Sequence, residues 1–544
     1  MILNYEKHEI LNLKEAVPII DLFAGPGGLG EGFSSLIERK KRVFDIGLSI
    51  EKDQFAHKTL LLRSFTRQFK IGKIPLNYYK ALEAPTIEAR EILLLELFQK
   101  YEAEYKVASN EAWHATLGAK EFPSKLVDSR ITNALNGNKN WLLIGGPPCQ
   151  AYSLVGRSRN GGMFKEDPRV YLYKEYLRII AKHQPAVFVM ENVKGLLSAK
   201  IDGESVFSNI RKDLQNPSRV FPRHKSEKYK IYSFVNEPLA HDRNGFPLYD
   251  DKRKFTIRAE NYGVPQKRHR VILLGIRNDL PFNNKISILE KLSETTVESA
   301  ISDLPKVRSG INRRLVSEEK LANGKTKRFY DYIGDSDEKW KSIMTDFSKE
   351  IFSLNGFSEE GVKFKSLKFE NSIGGEYIKC SISKNKSDLK DWYYDKNLSG
   401  INNHQSRSHL YQDIKRYLFA AVYSKAYKKF PRMVDYKKYS DDLLPDHKNA
   451  LSGKFTDRFR VQLANSPATT VTSHISKDGH YFIHYDQNQC RSFTVREAAR
   501  IQTFPDNYLF RGPRTAQFHQ VGNAVPPYLA FQLAKIVHKI FKGF

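Results

Sequence analysis

The sequence predicts an α/β protein whose open sheet presents a ligand site along the carboxyl ends of its strands. Three observations predict it. Short apolar runs suited to buried strands recur at 17–23, 43–50, 141–144, 186–190 and 271–276. Four of them end in residues that suit a ligand edge: Gly25, Gly27 and Gly28 follow the first, Glu51 ends the second, Gly145 and Gly146 end the third, and Glu191 ends the fourth. A helix-compatible stretch, residues 29–36, follows the first glycine loop directly. Open α/β sheets hold their ligands at that carboxyl edge.

Strand, glycine loop and helix at 17–36 have the layout of a nucleotide-type pocket, because glycines admit close backbone approach and a helix start offers free amides. The acid Glu51, roughly 20 residues past the loop, is placed to accept both hydroxyl protons of a ribose. The loop lacks the GxxxxGK[ST] pattern, which argues against a triphosphate. A ribose-bearing ligand without a phosphate grip fits, and S-adenosylmethionine is one.

Residues from about 61 to 125 do not look like a regular βα unit and are expected to form a helical insertion. One helix is expected from Thr86 to about Tyr105, with Ile87, Leu94, Leu95 and Phe98 on one face. The chain then reaches Gly145, Gly146, Pro147, Pro148, Cys149 and Gln150. Two prolines stiffen the exit from the strand, and a thiol follows on the turn. A lone cysteine is ordinarily a packed thiol; the company of this one sets it apart. Residues 151–162, with Ser153, Arg157 and Arg159 among three glycines, suit a mobile loop that meets phosphates. Glu191 reads equally as a helix-capping carboxylate and as a proton donor to a ring nitrogen. Further on, Gln266, Lys267, Arg268, His269 and Arg270 open a strand, with Arg268 and Arg270 on one face and His269 on the other. Two arginines there would lower a thiol pKa and grip a carbonyl-bearing substrate.

The totals bound the partners. A chain of 544 residues suggests two or three domains. The net charge of +27 suits a polyanion, nucleic acid first. Cys149, Cys380 and Cys490 form no CxxC pair, so neither a disulfide framework nor a metal site is expected. Without a signal pattern or an apolar span of about 18 residues, a soluble intracellular protein is expected, with no membrane partner.

These blocks resemble the cytosine-C5 DNA methyltransferase family of bacterial restriction–modification type. Residues 21–28 look like its cofactor loop, 146–150 its nucleophile motif, 191–193 its glutamate motif and 266–270 its arginine motif. Residues 491–506 resemble the motif after the recognition domain, and 520–527 the terminal motif that folds back beside the cofactor loop. All six stand in the family's order, over about 15–305 and 460–544.

The resemblance implies a Rossmann-like S-adenosylmethionine-dependent domain with a mixed seven-stranded sheet at 15–305, a smaller target-recognition domain at 306–465, and a return to the catalytic domain at 466–544. It implies Cys149 as nucleophile, Glu191 at N3 of the cytosine, and Arg270 on the base carbonyl with Arg268 supporting. Phe23, Gly25, Gly27, Glu51, Pro147, Asn523 and Val525 would contact the cofactor. Gln150, Ser153, Arg157, Arg159 and Thr470 would contact DNA. Its implied partners are S-adenosylmethionine, without a metal, and double-stranded DNA, in a monomeric bacterial protein of the cytoplasm and nucleoid that works beside a restriction endonuclease. A tRNA-directed relative and a catalytically silent DNA-binding relative are the alternatives; the long 306–460 region argues against the first and the intact Cys149, Glu191 and Arg270 against the second. The family's acid at the cofactor adenine has no counterpart assigned here: Ala119 stands where it is expected, near Glu121 and Asp128. In the variable middle, residues 363–369 interleave lysine and phenylalanine, as either a phosphate-contacting surface or an amphipathic strand.

Overall fold

A computed structural model describes residues 16–148, 168–201, 203–283, 285–323, 326–354, 370, 372–381, 387–445 and 457–544. The lysine-rich run at 363–369 lies outside them.

The core is one twisted sheet. Its strands are β1 (Val17–Leu22), β2 (Phe44–Glu51), β3 (Ala112–His114), β4 (Leu142–Gly145), β5 (Val187–Val193), β6 (Tyr229–Ser233) and β7 (His269–Arg277), in the spatial order 6-7-5-4-1-2-3. All run parallel except β7, which is antiparallel to both neighbours. A short eighth strand, Thr256–Arg258, pairs with the start of β7. The strands are apolar on both sides because both faces are covered. Ile20, Leu22 and Leu143 pack into one layer, Ile19, Leu142 and Ile144 into the other.

Helices α1 (Gly28–Ser34) and α2 (Gln54–Arg67) follow β1 and β2. Between α2 and β3 come α3 (Leu76–Leu82), α4 (Ile87–Lys100) and α5 (Glu102–Glu111). This corrects the expected insertion in two respects. The third strand falls inside 61–125; three residues flanked by helix give no periodic signal, and pairing with β2 decides them. The expected single helix breaks at Tyr101, and Leu97 rather than Leu95 joins Leu94 and Phe98 in the core, Leu95 being 60% exposed.

The sequence order reverses between β1 and β4, which makes their carboxyl ends the topological switch point. Leu22 lies opposite Gly145 in that pair, so the glycine loop and the Gly146–Pro147–Pro148 turn leave the sheet side by side.

The middle region builds its own aromatic core, in which Trp340 and Phe347 of the helix Asp337–Phe352 meet Tyr417 and Phe419 of the helix Tyr411–Tyr427. That core also takes Ile483 and Cys490, so it draws on chain beyond 465. The junction between this core and the sheet domain is polar and buried. Arg491 is fully buried and holds Glu497 with two hydrogen bonds, of 2.6 and 2.7 Å. Burial alone would push the Glu497 carboxyl up, but the charge and hydrogen bonds of Arg491 hold it well below the usual carboxylate range. Beside it, burial pushes the His404 and His484 imidazoles down to about 4, Arg491 adding to the effect and Glu497 opposing it. Between pH 6.5 and 4 the unfolded chain therefore binds protons on these histidines that the folded chain does not, and stability falls as pH falls, by about 1.4 kcal/mol for each unit of depression. Thermal midpoints at pH 7.5 and 5.5 are the check. A lower midpoint at pH 5.5 is expected, and equal midpoints would mean these imidazoles are not held neutral.

Candidate active site and cofactor edge

The side chains converge at the carboxyl edge because strand pairing puts them there. Glu191 continues β5 beyond Met190, the partner of Gly145, and so lies next to Gly146. A Cβ at Gly146 would stand 2.9 Å from Glu191 Oε2, so only glycine lets the carboxylate lie over the turn. Asn192 is buried and donates to the Pro147 carbonyl at 3.5 Å, while its own Oδ1 accepts from the Val193 amide at 2.8 Å. Because β7 runs antiparallel, its start lies at the same edge, and Arg270 Nε reaches Glu191 Oε1 at 2.8 Å. Cys149 follows this turn in sequence and lies outside the described residues, as do Gln150, Ser153, Arg157 and Arg159.

Arg268, expected in a supporting role beside Arg270, is anchored to backbone carbonyls of two later segments. It is buried and donates to the carbonyls of Val471, at 2.8 Å, and Gly522, at 3.3 Å. Burial pushes its guanidinium well below its usual value, with the Arg270 charge adding and Glu191 opposing. Arg268 therefore ties the arginine motif to two later segments. Thr470 sits over the same segment, its hydroxyl donating to the Lys267 carbonyl at 2.6 Å. Gln266, which sequence reasoning quoted without a role, completes the knot: its Nε2 donates to the Ile501 carbonyl at 2.9 Å and its Oε1 accepts from the Val471 amide at 3.0 Å.

The expected cofactor residues line the neighbouring part of the edge. Glu51 is buried at the end of β2, its Oε2 accepting from the Gly25 amide and its Oε1 from the Asp53 amide, both at 2.7 Å. Burial raises its pKa and these amides oppose the rise. Each oxygen keeps a further lone pair, so the acid is fixed in place and still able to accept hydroxyl protons. Phe23 takes a left-handed φ of 58°, strained backbone for an aromatic residue, where β1 turns into the loop. Gly25 has a φ of +59° and a Cβ there would meet nothing within 4 Å, so open space lies over the loop. Underneath, a Cβ at Gly28 would stand 2.3 Å from the Val525 carbonyl oxygen. That contact lays residues 523–525 against the loop, with Asn523 exposed and Val525 buried. The Tyr508 hydroxyl donates to the Pro26 carbonyl from the other side. Open space over the loop beside a fixed acid fits a ribose-bearing ligand such as S-adenosylmethionine, which Phe23, Gly25 and Glu51 would hold. Asp21, which opens the 21–28 block near the end of β1, carries no expected role of its own. It is fully buried, and burial pushes its carboxyl well above the usual range.

A sheet ordered 3-2-1-4-5-7-6 with only the seventh strand reversed, and a glycine loop and acid at its switch point, is the framework of S-adenosylmethionine-dependent methyltransferases. The model of the C-5 cytosine-specific DNA methylase family matches residues 110–217 and 253–539. The type II methyltransferase M.Bpa9945I of Bacillus paralicheniformis is 31% identical over 96% of this chain and 99% of its own length. M.DdeI of Desulfomicrobium norvegicum is 27% identical over 74% of this chain and 73% of its own length, and the DNA (cytosine-5-)-methyltransferase M.ApeKI of Aeropyrum pernix is 25% identical over 75% and 82%. The chain belongs to the C-5 cytosine-specific DNA methylase family, and it is a DNA (cytosine-5-)-methyltransferase of the type II kind.

Proposed function

We propose that this enzyme methylates C5 of a cytosine flipped out of a specific duplex sequence, through a covalent bond between Cys149 and C6, and that it protects DNA from a partner restriction endonuclease. The observation that carries the reading is the Glu191–Arg270 pair, 2.8 Å apart beside Gly146, at the end of the strand that leads to Cys149.

Cytosine C5 is a poor nucleophile. The Cys149 thiolate adds to C6, the sulfur–carbon bond forms, and the C5–C6 π pair becomes available at C5 and through the ring to N3. Glu191 supplies a proton or a hydrogen bond at N3, and Arg270 holds the carbonyl and keeps the carboxyl oriented. Bound S-adenosylmethionine supplies an electrophilic methyl and leaves as S-adenosylhomocysteine. C5 takes that methyl, a base removes the C5 proton, the C5–C6 double bond re-forms and the thiolate departs. Splitting one hard substitution into an addition and an elimination is ordinary nucleophilic catalysis. The ring faces are blocked within a stacked duplex, so the base has to leave the stack. The +27 charge, Thr470 above Lys267, and Gln150, Ser153, Arg157 and Arg159 after the cysteine supply the DNA contacts.

Purified protein should transfer labelled methyl to duplex DNA and form a denaturation-stable adduct with DNA containing 5-fluorocytosine, where the missing C5 proton blocks elimination. Transfer without an adduct would remove the covalent step, and transfer to tRNA alone would replace the substrate. Bisulfite sequencing of DNA from cells expressing the enzyme should show one short methylated motif; scattered methylation would remove the sequence-specific reading.

A further inference from the structure

The helices between α2 and β3 reach across to the target-recognition region. We propose that Arg90 is a positioning residue, which holds this region at the spacing from the cofactor edge that duplex DNA requires; the inference rests on the DNA-methylating reading above. The stretch from α2 through β3 is anchored at both ends beside Glu51. Asp53, whose amide binds Glu51 Oε1, caps the start of α2. At the far end β3 pairs with β2, and the Ala115 amide donates to the Glu51 carbonyl at 3.0 Å.

The middle of the stretch grips the other region. Arg90 on α4 is 2% exposed. Its Nη1 lies 2.9 Å from Glu376 Oε2 and its Nη2 donates to the Glu376 carbonyl at 3.1 Å. Glu376 stands on the strand Gly374–Lys379, which pairs with Gly400–Gln405. That second strand is held in turn by Arg496, whose Nε donates to the Asn402 carbonyl at 3.0 Å. One further contact runs parallel to this one: the Tyr79 hydroxyl donates to Asp395 Oδ2 at 2.9 Å.

A buried ion pair adds little net stability over an apolar pair of the same shape, because desolvation offsets the attraction. What it adds is position: any other placement of the recognition region breaks the ion pair and the hydrogen bond from Arg90 to the Glu376 carbonyl together. The pair bridges two regions about 286 residues apart in sequence, so its effect falls on their spacing and hence on DNA.

The test uses the full-length enzyme, S-adenosylmethionine and PCR-amplified genomic DNA, which is unmethylated and carries any short site many times. In Arg90→Met and in Glu376→Gln the KM for DNA should rise roughly 5- to 20-fold. In both, kcat and the KM for S-adenosylmethionine should stay within about twofold of wild type, and the double variant should be no worse than either single one. A wild-type KM for DNA in folded variants, or equal losses in all three parameters, would make Arg90 a stability residue and overturn the proposal. If Arg90→Met does not fold, Tyr79→Phe decides: a rise of about threefold in the KM for DNA is expected, and no rise overturns the proposal. A wild-type enzyme inactive on DNA would instead defeat the underlying reading, which keeps the two failures apart.

Discussion

Replacing Cys149 by serine should abolish methyl transfer to duplex DNA, with kcat falling by a factor on the order of 10⁴ or more, while DNA binding persists. A thiol is a few per cent thiolate near neutral pH and intrinsically nucleophilic; a serine hydroxyl needs an adjacent base to match it. Glu191 is not free for that task, because Arg270 engages its Oε1 at 2.8 Å. The same variant forms no adduct with 5-fluorocytosine DNA, and gel-shift affinity is the control that separates lost chemistry from lost binding. Residual transfer within tenfold of wild type would mean that Cys149 is not the nucleophile.

Replacing Arg491 by methionine should cost about 3–5 kcal/mol of stability, the usual effect of stranding one partner of a buried ion pair. Arg491 gives two hydrogen bonds to Glu497 and another, of 2.8 Å, to the Val307 carbonyl. Methionine fills much of the volume and satisfies none of those oxygens. Urea unfolding measures the loss, and the joint variant Arg491→Met with Glu497→Leu should recover part of it by removing the stranded carboxylate. An unchanged midpoint in the single variant would show that the junction reorganises without penalty.

The comparison between sequence and structure divides along physical lines. Strands such as β1, β2, β4, β5 and β7 were legible because both faces are buried, which writes continuous apolar runs, and the first four also because glycine or an acid stands at their carboxyl ends. Glu51, Glu191 and Arg270 were legible for the same reason: each stands one step from the end of such a run. β3 was not legible, since three residues between helices owe their conformation to pairing with β2. The middle region resisted as well. Its core joins Trp340, Tyr417 and Phe459 from separate segments, and no local periodicity announces such a meeting. Arg268 shows a different limit. Sequence marks an arginine as a charge for solvent or substrate; only the fold reveals the Val471 and Gly522 carbonyls waiting for its guanidinium.

The contact of Gly28 with the Val525 carbonyl has a consequence for how the enzyme is made. The two sides of the cofactor cradle are nearly 500 residues apart in the chain. At a synthesis rate of roughly 5–20 residues per second, the glycine loop waits on the order of 25–100 s for the segment that backs it. During that interval the sheet strands can pair, but the cradle has no floor. A nascent or truncated chain that ends before Val525 should therefore fail to methylate, which would tie the onset of activity to the near-completion of each molecule.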